Sequence, residues 1–237
     1  MIGPAALVLA AGAGLAAPLP AARPDRPAAV AARSQMLCRD PRLAGTARLD
    51  IIEAEWLACG IDDPVRVTAV AGIRITPPVL VGCRTARRLV DWLTGVGQPA
   101  ARDELGAGIA AVEAMGSYAC RTQNNAAGVR RSEHARGRAV DIGGFRLTDG
   151  RPVSVARDWG RGPEGAFLHR VWDTACGAFS TVLGPEVDRH HRNHLHLDTA
   201  PRGEKLYCRE QGNRLRTAMA ESRTSRGLRS GRGRVPV

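Results

Sequence analysis

The chain has 237 residues, 44% of them hydrophobic but only 4% aromatic, with a formal net charge of +11 at pH 7. That length and apolar content predict one main domain with a real core and loose ends. The charge sits at the ends, +6 in residues 213–237 and +2 in residues 1–37, leaving +3 for residues 38–212. A nucleic-acid-binding reading would therefore rest on the tail alone, which has no interleaved aromatics to stack on bases.

The first element is a short apolar run, Ala5–Ala17, followed by an Ala-, Pro- and Arg-rich stretch to Ser34. It fits the apolar core of a secretory signal and is too short for a membrane span, although no positive charge precedes it. The expected organisation is a signal-like segment and linker over 1–34, a domain over 35–212 and a basic tail over 213–237. The tail lacks apolar periodicity and is expected to be unfolded, able to track a polyanion. Six cysteines, Cys38, Cys59, Cys83, Cys120, Cys176 and Cys208, include no Cys-x-x-Cys pair, which argues against a zinc ribbon. Their even number behind an apparent signal predicts three disulfides in an oxidising compartment, periplasmic or cell-envelope. Sequential pairing is expected: Cys38–Cys59, Cys83–Cys120 and Cys176–Cys208.

Within the domain, Val65–Val70 and Ile73–Thr76 alternate apolar and polar residues and predict two strands, the second stopped by Pro77 and Pro78. Residues 84–96 carry Ala86, Leu89, Val90, Trp92 and Leu93 at helical spacing, with Trp92 a core residue. A second helix is expected from about Ala100 to Met115, weakened by Gly106 and Gly108. A third spans Ala166–Phe179, with His169 read as a packed or surface histidine and Cys176 set to reach Cys208. Strands and helices without βαβ regularity predict an α+β domain, a small antiparallel sheet flanked by helices.

Two motifs carry chemistry. His134 and Asp141 occur in Ser132-x-His-x-x-Gly137-x-Ala139-x-Asp, and His194-Leu-His196 answers them later in the chain. Two imidazoles and a carboxylate, with an imidazole to spare, make the three-ligand pattern of a catalytic zinc, which keeps a position for water. In a strand, His194, His196 and Asp198 share one face while Leu195 and Leu197 enter the core. Ala139 leaves room beside Asp141, and Gly137 allows the His134 loop to approach the strand closely.

These residues resemble the zinc site of the peptidoglycan metallopeptidases: D-alanyl-D-alanine carboxypeptidases and dipeptidases, murein endopeptidases and lysostaphin-type enzymes. More narrowly, Gly116–Arg121, Ser132–Ala135, Val182–Pro185 and His194–Asp198 with a later cysteine resemble the bacterial extensin-like C-terminal domain family, over roughly residues 36–210. The resemblance implies His134, Asp141 and His196 as zinc ligands and His194 as general base or oxyanion stabiliser. The dipeptidases place a glutamate base where Asn193 stands here, and the extensin-like family an aspartate, so base duty falls to His194. It also implies Arg121 as a substrate-facing arginine that stabilises developing negative charge. Ser132 bonds substrate or caps a turn, His190 lies at the mouth of the site, and Asp198 orients a ligand rather than binding metal. The function implied is an exported, monomeric zinc peptidase acting on peptidoglycan peptides. The alternative is a wall-binding module on the same fold that does not turn over, its partner peptidoglycan or another anionic envelope polymer.

Overall fold

The structure is a computed structural model that describes residues 36–47, 59–203 and 205–208. The signal-like segment and the basic tail fall outside them. The α+β class holds, but the sheet is larger than expected and mixed. It comprises β1 (Leu43–Ala47), β2 (Pro64–Val70), β3 (Ile73–Gly82), β4 (Ile109–Gly116), β5 (Ala139–Leu147), β6 (Pro152–Ser154), β7 (Thr181–Leu183), β8 (Leu195–Asp198) and β9 (Tyr207–Cys208). Their spatial order is β1-β2-β3-β4-β5-β8-β7-β9, with β6 on β5. Pairings are antiparallel except β3–β4 and β7–β9.

Helix α1 (Cys83–Trp92) runs through a wide turn, Leu93–Gly97, into α2 (Gln98–Leu105); a single turn, α3 (Val155–Asp158), precedes α4 (Gly162–Ala175). Leu89, Val90, Trp92, Phe167, Leu168, Val171 and Trp172 are buried, so the apolar stripes read from the sequence do form the core. Trp92 ties α1 to α4 by donating its indole N–H to the Val171 carbonyl at 3.1 Å.

Three expectations need correction. Strand β3 does not stop at Pro77: it continues to Gly82, and the residues opposite β2 skip from Arg74 to Val79. The prolines thus sit where no ladder N–H is required, which is where a strand tolerates them. The second helix ends at Leu105, because Gly106 takes a left-handed conformation (φ 69°) and caps it. From Ile109 the chain enters β4, a strand where helix was expected.

The disulfides are Cys38–Cys83, Cys59–Cys120 and Cys176–Cys208, so only the last expected pair forms. Long-range contacts explain the other two. Residues 38–42 run beside α1, where Arg87 donates to the Cys38 carbonyl and Arg42 pairs with Asp91, setting Cys38 against Cys83. Gly60 donates its N–H to the Ala135 carbonyl, which carries Cys59 to the loop bearing Cys120.

Candidate metal centre and its cleft

The β5–β8 register builds the site. Asp141 lies directly opposite His196, and Ala139 opposite Asp198. Directly opposed residues share a sheet face, so carboxylate and imidazole point the same way, while Leu195 and Leu197 are fully buried behind them. Gly116 on β4 makes room: a Cβ there would lie 2.6 Å from Asp141 Oδ2.

His134 arrives on a 3-10 turn, Glu133–Arg136. Ser132 caps it, its hydroxyl accepting the His134 N–H at 3.3 Å. Gly137 (φ 60°) ends the turn, and any Cβ at that position would meet Ile61 at 2.7 Å. The close approach expected there is therefore real.

Three ligand atoms converge. His134 Nε2 lies 3.1 Å from Asp141 Oδ2 and 3.2 Å from His196 Nδ1. His196 Nδ1 lies 2.9 Å from Asp141 Oδ1. Tetrahedral ligands at zinc bond lengths of about 2.0–2.1 Å stand roughly 3.3 Å apart, so the donor set fits that ion. Among the described residues this is the group whose donor atoms could hold a metal. The ring atoms turned away are also committed. His134 Nδ1 lies 2.6 Å from the Ser117 carbonyl, which can only accept, so Nδ1 carries a proton and Nε2 is the atom turned toward Asp141 and His196. His196 Nε2 faces Asp198 Oδ2 at 3.4 Å, the orienting role expected of that aspartate.

Electrostatics follow the geometry. Burial alone would raise the Asp141 pKa, but hydrogen bonds from His134 and His196, together with their charge, hold it far below the usual carboxylate range. Burial likewise opposes charge on His196, yet its bonds to Asp141 and Asp198 win and push the pKa up to about 9. His194 is lowered, chiefly by burial against the attraction of Asp141, and so is neutral at neutral pH. Its Nδ1 lies 2.9 Å from Asn193 Oδ1, an acceptor. The ring therefore donates from Nδ1 and leaves Nε2 basic, 3.7 Å from Asp141 Oδ1.

The ligands open into a cleft of about 630 Å³ that also takes in Arg121, Ser132 and His190, so the structure gathers every residue singled out in the sequence for the site. His169 lies elsewhere, its ring centroid 4.2 Å from that of Trp159. A larger cavity of about 980 Å³, bordered by Cys38, Arg84 and Arg136, contains none of the three ligands.

Residues 36–209, well over half the chain, match the family model of the extensin-like protein C-terminus. The chain belongs to that family. No curated protein and no solved structure matches it.

In this extensin-like domain, sequence reasoning missed three participants. His191 is buried in the cleft, its Nδ1 2.8 Å from Asp188 Oδ1 and its ring centroid 5.2 Å from that of His194. Burial lowers its pKa against the pull of Asp188. The spacing Asp188-x-x-His191 in a histidine-rich stretch was the available signal. The third, the Ser117 carbonyl, is backbone and leaves no trace in side-chain patterns.

Proposed function

We propose that this extensin-like domain is an exported zinc-dependent peptidase that hydrolyses amide bonds of peptidoglycan peptides. The observation that carries this reading is the pairing of a convergent His134–Asp141–His196 donor set with a neutral His194 whose free nitrogen faces it. Three disulfides fit an exported protein. Among the described residues no helix is long and apolar enough to cross a membrane.

A zinc ion held by the three ligands supplies Lewis acidity and a water acidified towards neutrality. The remaining work belongs to the chain. His194 Nε2 takes a proton from the attacking water and returns it to the leaving amine, while Asn193 keeps the ring in the required tautomer. Arg121, placed by the Cys59–Cys120 bridge beside it, faces the cleft and offers N–H donors to negative charge developing on the substrate carbonyl. Asp198 and the Ser117 carbonyl fix the two ligand imidazoles.

Elemental analysis of the oxidised protein, followed by incubation with purified peptidoglycan, tests the reading. About one zinc per chain and release of peptide fragments are expected. Binding to peptidoglycan without release would instead establish the wall-binding module, and absence of tightly held metal in folded protein would remove the peptidase reading.

A further inference from the structure

Arg202 lines the metal cleft from the segment between β8 and β9. Its placement follows from the sheet. Thr181 on β7 lies opposite Asp198 on one side and Tyr207 on the other, so Asp198, Thr181 and Tyr207 form one row on the face that carries the ligands. Arg202 is laid along that row. Its Nε–H donates to the buried Thr181 hydroxyl at 2.9 Å, and its guanidinium carbon stands 5.9 Å from the centre of the Tyr207 ring. The Cys176–Cys208 bridge ties the far end of this arm to the end of α4.

A guanidinium has five N–H donors in a rigid fork. One is used at Thr181, and Arg202's partners among the described residues are a hydroxyl and a ring, not a carboxylate. Arg130, a cation on the same cleft, instead stands 3.8 Å from Glu133. Arg202 is thus oriented at its root, with the terminal edge of the fork left for a bidentate acceptor such as a carboxylate.

We propose that Arg202 forms a carboxylate subsite, and that the ligand of this cleft is a peptide bearing a free carboxylate on the β7–β9 side of the metal row. The proposal rests on the peptidase reading for the identity of the peptide, not for the existence of the subsite. Neighbouring strands are about 4.8 Å apart, which puts Arg202 roughly 5–10 Å from the ligand strand β8. An extended peptide advances about 3.3 Å per residue. The carboxylate therefore lies two or three residues from the bond presented to the metal, or at the tip of a long side chain. An amidated or continuing chain at that point would leave the fork unpaired.

The test compares N-acetyl-Lys-D-Ala-D-Ala with its C-terminal amide as ligands of the zinc-loaded full chain, by calorimetry, with hydrolysis followed separately. The wild type should bind the acid at least tenfold more tightly than the amide. Arg202→Gln should lose that preference while keeping zinc content and Tm, and Arg202→Lys, a charge without the fork, should recover only part of it. Preference intact in Arg202→Gln, or acid and amide bound equally or not at all by the wild type, would overturn the proposal. Preference that depends on Arg202 without any hydrolysis would leave the subsite standing and remove the peptidase reading.

Discussion

His196 has both ring nitrogens against carboxylates, and its pKa is raised to about 9 from an ordinary value near 6.5. The metal-free domain therefore carries a proton there at neutral pH, which a metal must expel. Calorimetry of zinc uptake at pH 7, in buffers of different ionisation enthalpy, should show about one proton released. The same proton stabilises the metal-free fold. Because the folded pKa lies above the unfolded one, that contribution is complete below about pH 6.5 and is lost as pH rises through about 9. The Tm of metal-free protein should accordingly fall over this window, and an unchanged Tm would contradict the assignment. His194 differs in kind. His194→Ala should keep its zinc and lose about 10²–10⁴-fold in turnover, whereas His196→Ala should lose the metal itself. Metal loss in the first variant with retention in the second would reverse these roles.

At the scale of elements, the site depends on how closely β4, β5 and the His134 turn approach one another. Gly116→Ala pushes a methyl into Asp141 Oδ2, and zinc affinity should drop roughly 10–100-fold, as when a ligand loses its positioning group. Gly137→Ala adds a left-handed strain to a clash with Ile61 and should cost about 1–3 kcal/mol by denaturant melt. Much of this scale was legible in the sequence. Alternation of His and Leu marks the two faces of β8, and helical spacing marks α1 and α4, because burial of one face dictates both patterns. The end of α2 was not legible in the same way. Ile109–Gly116 is short and mostly apolar or small, and such a run is ambiguous between strand and helix until a partner strand supplies the pairing. Asn193 holds the His194 tautomer, a role set by one 2.9 Å contact that residue type alone does not reveal.

At the scale of the molecule, the near-balance of charge in residues 38–212 separates the site from the basic tail. Deleting residues 213–237 should leave zinc content unchanged and remove salt-sensitive binding to anionic polymers, measured by retention on heparin at two ionic strengths. Two of the three cysteine pairings were the molecular feature the sequence did not reveal, since they depend on Gly60 meeting Ala135 and on residues 38–42 lying along α1. The outcome has a consequence for proteolysis. The Cys38–Cys83 and Cys59–Cys120 loops interlace, so a cut at any bond from 38 to 120 leaves one covalent molecule, and so does a cut between 176 and 208. Between Cys38 and Cys208, only the bonds from 120 to 176 are unguarded, and that interval carries His134 and Asp141 while His196 stays on the other side of it. A single nick between Asp141 and Cys176 yields two chains on a non-reducing gel and divides the candidate ligands between them, joined thereafter by the buried β5–β8 pairing.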